Sequence, residues 1–179
     1  MRVLALIGSP RKNSNTDLLV TQILSGAETS NHQIEKIYLY DLEIAPCLDC
    51  RACKTTSNHK CAIKDDMQTV YPKLEAADVF VFGSPLYWYG PTAKMKLLID
   101  RLRPFIESKK LKGKKAILVI PSEEGAEACN LVVGAFELSF KYLEVDLLDK
   151  VLAKAYEKAE IKKSPKALTA AFELGKALK

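Results

Sequence analysis

Residues 2–24 read RVLALIGSPRKNSNTDLLVTQIL, and this stretch decides the fold. Arg2–Ile7 is a continuous apolar run of strand length. A Gly-Ser-Pro turn ends it, and Asp17–Glu28 follows with apolar residues at 18, 19, 20, 23 and 24, the spacing of one helix face. A strand that is apolar at every position is buried on both faces, which points to a parallel sheet with helices on either side. The pattern repeats along the chain. Gln33–Tyr40, Val79–Phe82, Lys115–Ile120 and Glu144–Leu152 read as further strands, and Asp65–Ala77, Thr92–Arg103, Ala128–Tyr142 and Pro165–Leu178 as helices. Five β units alternating with five α units predict an α/β, doubly wound parallel sheet.

The chain has 179 residues, enough for one domain, 1–179, that buries a sizeable core without a staple. It is 48% hydrophobic and 27% charged, with 27 basic and 22 acidic residues, a formal charge of +5. Much of that excess lies in SKKLKGKK (108–115) and EIKKSPK (160–166), which read as solvated surface. No basic stripe interleaved with aromatics points to nucleic acid. The apolar start ends too early in Gly-Ser-Pro-Arg for a signal peptide. No stretch approaches the about 20 apolar residues of a membrane span. A cytoplasmic protein is expected, where reduced thiols disfavour structural disulfides.

Ligands of doubly wound sheets bind beyond the carboxyl ends of the strands, so the loops there carry the chemistry. The first, GSPRKNSNT (8–16), joins a buried strand to a helix start. Its backbone N–H groups, with Ser9, Ser14, Asn15 and Thr16, suit a phosphate, and Arg11 and Lys12 add charge. It is neither a P-loop nor a G-x-G-x-x-G turn. A plainly capped helix start is the simpler alternative. The third, GSPLYWYGP (83–91), sets Leu86, Tyr87, Trp88 and Tyr89 between prolines and glycines. Three adjacent aromatics cannot all face one core; a flat heteroaromatic ring or a subunit interface explains them. A phosphate cradle beside a planar platform suits a phosphorylated flavin. The fourth, PSEEGAEAC (121–129), offers Ser122 and Gly125 to the polar edge of such a ring, with Cys129 read as a small buried hydrophobe.

The second loop, about 41–64, holds Cys47, Cys50, Cys53 and Cys61 in the spacing C-x2-C-x2-C-x7-C, at the same edge as the flavin loops. Lys54, Lys60 and Lys64 surround the thiols and favour thiolates. The run of three matches the start of the ferredoxin-type [4Fe–4S] pattern, with Cys61 near enough to be a fourth ligand. Thiols without a cofactor and a four-thiolate zinc site remain open alternatives.

Taken together, GSPRKNSNT, PCLDCRACKTTSNHKCAIKDDM and GSPLYWYGPTAKMKLLIDR resemble the NAD(P)H-dependent FMN reductase branch of the flavodoxin-like superfamily, and within it the iron-sulfur flavoproteins, along essentially the whole chain. The resemblance implies a flavodoxin-like three-layer sandwich with strand order 2-1-3-4-5. It implies that Ser9, Arg11, Asn13, Ser14, Asn15 and Thr16 bind the FMN phosphate. Pro85, Leu86, Tyr87, Trp88, Tyr89 and Gly90 would line the isoalloxazine, with Ser122 and Gly125 near its other side. It implies a [4Fe–4S] cluster on Cys47, Cys50, Cys53 and Cys61, although relatives with nearly the same segment are named simply flavin reductases. Ferredoxin or NAD(P)H is the implied electron donor, and a homodimer or homotetramer the implied assembly. No side chain stands out as an acid or base, so the chemistry is carried by FMN. Two other functions compete: an NAD(P)H-dependent FMN or quinone reductase without a cluster, and a zinc-stabilised, non-enzymatic interaction module.

Overall fold

The computed structural model describes residues 1–179. Five strands, β1 (Arg2–Ile7), β2 (Gln33–Tyr38), β3 (Val79–Gly83), β4 (Lys115–Ser122) and β5 (Asp146–Lys154), pair in parallel in the order β2-β1-β3-β4-β5. The three runs that are apolar throughout are the three central strands, whose residues are buried on both faces, while β2 and β5 form the edges. This is the flavodoxin-like sheet expected from the sequence.

Period-two alternation sorts each central strand onto two cores. Leu4, Leu6, Phe80, Phe82, Leu118 and Ile120 face one side. There they meet helices α3 (Met67–Ala76), α4 (Ala93–Asp100), α5 (Pro104–Ser108) and α6 (Asn130–Leu143). Val3, Ala5, Ile7, Val79, Val81, Ile117 and Val119 face the other side, covered by α1 (Asn15–Thr29) and α7 (Pro165–Lys176). Each fully buried Leu, Ile, Val or Phe contributes about 1.5–3 kcal/mol of transfer free energy. No helix is long and apolar enough to cross a membrane.

Several elements differ from their expected bounds, each for a local reason. β2 ends at Tyr38, because a 3₁₀ turn over Leu39–Asp41 drives Leu39 into the core. The helix expected over Thr92–Arg103 stops at Asp100 and restarts at Pro104, whose ring and missing N–H disfavour a continuous helix. Its cap is Thr92, one residue after Pro91: Oγ1 accepts from the Met95 N–H at 3.3 Å and donates to the Gly8 carbonyl at 2.6 Å. β5 runs on to Lys154 with a bulge opposite Ala116 and Ile117. The cysteine loop holds one short helical turn, α2 (Ala52–Thr55).

Candidate flavin-binding edge and cysteine cavity

Hydrogen bonds knit the loops at the carboxyl end of the sheet into one edge. Thr92 bonds the third loop to Gly8 of the first. The Leu86 N–H donates to the Pro121 carbonyl at 3.3 Å, and the Ala155 N–H to Ser122 at 2.8 Å, so the third, fourth and fifth loops follow one another.

The first loop is held by Asp17, which the sequence reading passed over. Its buried carboxylate accepts from the Asn13 N–H at 2.7 Å, from Tyr38 Oη at 3.1 Å and from Lys36 Nζ at 3.0 Å. Burial opposes its ionisation. The Asn13 N–H, Lys36 and Tyr38 outweigh that and hold the carboxyl below its ordinary value. Asn13 takes a left-handed φ of 56° to make the turn. Ser14 stands at the N-cap of α1, buried, yet its hydroxyl makes no capping hydrogen bond. The first-turn N–H groups of α1 therefore open onto the edge, the arrangement that receives a phosphate.

Neighbouring side chains divide into free and committed. Arg11 is exposed, with one long contact of 3.5 Å to the Tyr156 carbonyl. Lys12 is tied to Asp41 at 2.6 Å and lies over the Tyr38 ring. Asn15 spends both polar atoms on the loop after β5, donating to the Glu157 carbonyl at 2.9 Å and accepting from the Ile161 N–H at 3.1 Å. That fifth loop, with Tyr156, was absent from the sequence reading, since nothing in its composition marks it. Ser9 accepts from the Arg11 N–H at 3.2 Å, and Thr16 is buried beneath the loop.

The third loop is a tight hairpin. Tyr87 and Gly90 exchange two backbone hydrogen bonds of 2.9 Å, and Trp88 and Tyr89 between them both adopt left-handed φ, 49° and 59°. This is the mirror-image turn that normally takes Asn-Gly. Placing two aromatics there costs about 1–3 kcal/mol each. Trp88 is 98% exposed, with Tyr87 and Tyr89 half exposed. In the fourth loop, Ser122 Oγ donates to the Gly125 carbonyl at 2.7 Å, where Gly125 has φ 87°.

The cysteine loop starts at this edge and then leaves it. Lys94 donates to the Leu42 carbonyl at 2.5 Å near the start of α4. The four cysteines line a small cavity with Asp100, Arg101, Arg103 and Pro104, past the other end of that helix. Eight residues of α4, about 12 Å, separate its two ends. Holding the loop there is an ion pair the sequence did not advertise. Arg101, 1% exposed, pairs with both oxygens of Asp65 at 2.6 and 3.0 Å and donates to the Ala45 carbonyl at 2.8 Å. Asp65 also accepts from the Ala45 and Met67 N–H groups, and Asp66 from the Glu43 N–H at 2.8 Å. The two acids that read as a helix start thus clasp both ends of the loop.

All five cysteines are free thiols, with Cys129 buried. Burial, and then the neighbouring Cys61, push the Cys53 thiol up, against Arg103. The four thiols that line one cavity are the donor set a [4Fe–4S] cluster needs, one for each iron. No three His, Cys, Asp or Glu side chains converge on a single ion position, the arrangement a lone zinc ion needs.

The sequence profile of the NADPH-dependent FMN reductases matches residues 1–146. The chain belongs to that family. Two curated members of the neighbourhood are iron-sulfur flavoproteins. The one from Methanocaldococcus jannaschii is 37% identical over 71% of this chain and 66% of its own. The one from Archaeoglobus fulgidus is 32% identical over 64% and 51%. This family member thus spans about half to two-thirds of the length of those relatives. A Bacillus subtilis relative, 23% identical over 97% of this chain and 96% of its own, carries the name of a candidate NAD(P)H-dependent FMN-containing oxidoreductase. The fold matches an NAD(P)H:quinone oxidoreductase of Methanothermobacter marburgensis with a TM-score of 0.74 at 17% identity, covering 100% and 99% of the two chains.

Acid should loosen the first loop and the clasp together. Asp17 and Asp65 both titrate below their ordinary value in the folded chain: burial opposes ionisation in each, and the Asn13 N–H and Lys36, or Arg101 and the Ala45 N–H, more than offset it. A depressed folded pKa contributes stability that is complete above the unfolded value of about 4 and is lost as pH falls through the folded value. The thermal midpoint is expected to fall from pH 5 to pH 2, and less steeply in Asp17→Asn; equal slopes would remove Asp17 from the account.

Proposed function

We propose that this family member is an FMN-dependent oxidoreductase that draws electrons from NAD(P)H in the cytoplasm. The observation that carries the reading is the strained Tyr87–Gly90 turn, which holds three aromatic rings out of the core beside the open N-terminus of α1. The FMN phosphate would be received by the first-turn N–H groups of α1 with Ser9, Arg11, Asn13, Ser14 and Thr16. Asn15 takes part through its backbone alone, its side chain being engaged elsewhere. Pro85 to Gly90 would pack on the isoalloxazine, and Ser122 and Gly125 would lie at its other side. Bound FMN supplies acceptance of an electron pair as hydride, or of electrons singly. The chain's part is to orient the ring and shield it from water. Arg11 is the free cation beside the cradle and supplies charge to the phosphate.

Replacing Arg11 by Ala is expected to weaken FMN binding about 10-fold, one charge-assisted hydrogen bond's worth, with the thermal midpoint of the apoprotein unchanged. Titration of apoprotein with FMN, followed by flavin fluorescence quenching, measures it. The same titration tests the function: a wild-type chain that fails to bind FMN, or whose bound FMN is not bleached by NADPH, sinks the reading.

A second reading is favoured by the names of the curated relatives and by the shared cavity of Cys47, Cys50, Cys53 and Cys61. In it the four thiolates hold a [4Fe–4S] cluster and ferredoxin is the donor. Anaerobic reconstitution with iron and sulfide separates the two: about four irons and four sulfides per chain support the cluster, flavin without iron the simpler reductase.

A further inference from the structure

Arg101 has more hydrogen-bonding capacity than its clasp with Asp65 uses. The residue is 1% exposed, and a guanidinium carries its N–H donors in one rigid plane. The pairing is end-on: Nη1 donates to Oδ2 of Asp65 and Nη2 to Oδ1, and Nη1 also donates to the Ala45 carbonyl. That geometry leaves the Nε–H to one side, and Nε is buried without a hydrogen-bond partner. Leaving a buried donor unmet costs about 1–3 kcal/mol, and more on a charged group. The side chain is not free to turn away. Asp65 holds the guanidinium, and the Tyr71 hydroxyl donates to the Arg101 carbonyl at 2.9 Å.

Sulfur lies beside this donor. Arg101 lines the cavity of Cys47, Cys50, Cys53 and Cys61. Arg51 and Arg103 line it too, but both reach solvent and share Asp49, at 3.8 and 2.8 Å. Arg101 is therefore the one wholly buried cation at the thiols. Burial opposes its charge, while Asp65, and after it Tyr71 and Cys61, hold its pKa above the ordinary value. A thiol sulfur is a weak acceptor. A thiolate or a sulfide carries negative charge and makes a stronger bond with a charged donor.

We propose that the Arg101 Nε–H is a donor to a sulfur of a [4Fe–4S] cluster held in this cavity, and that it makes the cluster easier to reduce. The inference rests on the cluster reading above. Reduction adds one electron, and so one negative charge, to the cluster and its thiolates. A donor on sulfur binds that reduced form more tightly than the oxidised one, and hydrogen bonds to the sulfurs are among the levers that set a cluster's potential. Asp65 then has two tasks: it balances the buried charge, and it fixes the plane of the guanidinium so that Nε stays turned from the pair.

Arg101→Lys tests this, because lysine has a methylene where arginine has Nε and keeps an ammonium for Asp65. Wild type and variant are reconstituted anaerobically with iron and sulfide, and each cluster is titrated with dithionite through mediators and followed by EPR. The reduction equilibrium constant is expected to fall about 10-fold in the variant, one charge-assisted hydrogen bond's worth, which is about 59 mV for one electron. A loaded variant with the wild-type potential overturns the proposal alone. A wild type that takes up no iron overturns the cluster reading and this proposal with it. A second measurement stands even if Arg101→Lys fails to fold or load. Pulsed EPR of the reduced wild type, grown with arginine isotopically labelled at Nε, is expected to show coupling to that nitrogen. The coupling is expected to survive in Arg51→Lys and Arg103→Lys. Its absence from the loaded wild type, or its loss with either of those two arginines, overturns the assignment to Arg101.

Discussion

Arg101→Met is expected to lower the unfolding free energy by about 3–5 kcal/mol, the cost of removing one partner from a buried ion pair. The guanidinium is sealed in: its side chain is wholly buried and that of Asp65 is 10% exposed. Methionine fills most of the volume but leaves the Asp65 carboxylate without the cation that balances it. The Ala45 and Met67 N–H groups remain, and they alone do not hold the charge. The Ala45 carbonyl loses its donor as well. The consequence reaches function through the loop, because Asp65 and Asp66 hold Glu43 and Ala45 against the start of α3. Urea unfolding measures the loss, and limited proteolysis is expected to cut sooner within residues 46–64. The double variant Asp65→Leu with Arg101→Met is expected to regain part of the loss, since no lone charge is then buried. A loss below about 1 kcal/mol for Arg101→Met would match an exposed pair instead.

Gly175→Val is expected to cost about 3 kcal/mol or more, above the usual range for overpacking. The clash is with the Ile23 carbonyl oxygen and carbonyl carbon and with the Ala27 nitrogen. No side chain can swing aside to relieve it. The helices must separate, and α7 then uncovers Leu19, Val20 and Ile23 on the second core. Gly26→Ala meets the Phe172 carbonyl in the same way and should behave alike. Thermal and urea unfolding of the two variants give the measurement. Wild-type midpoints would show that α1 and α7 do not approach so closely.

Much of the fold was legible because burial leaves a periodic trace. Arg2–Ile7, Val79–Gly83 and Lys115–Ser122 are apolar on both faces, and only strands in the middle of a covered sheet need that. Element ends were less legible. Thr92–Arg103 has helical spacing throughout, yet Pro104 and the inward turn of Arg101 divide it. The aromatic turn was visible as an excess of rings, while its left-handed backbone was not, since Trp-Tyr is a poor composition for such a turn. The three helical glycines look alike in sequence. Gly26 and Gly175 are set apart from Gly134 only by what lies opposite each of them.

The sequence by itself determined a parallel doubly wound sheet, the loops beyond the carboxyl ends of its strands, and the close spacing of four cysteines in the second of them, because strand periodicity and loop composition are local properties. Only the tertiary structure decided which of those polar groups are free. Lys12 is held by Asp41, twenty-nine residues away, and Asn15 by Glu157 and Ile161, while Arg11 and the N-terminus of α1 stay available. It also decided where the thiols go, down the length of α4 under a clasp between Asp65 and Arg101. Each of these outcomes depends on a partner distant in the chain, and a hydrogen bond or ion pair between distant residues leaves no periodic mark on either segment.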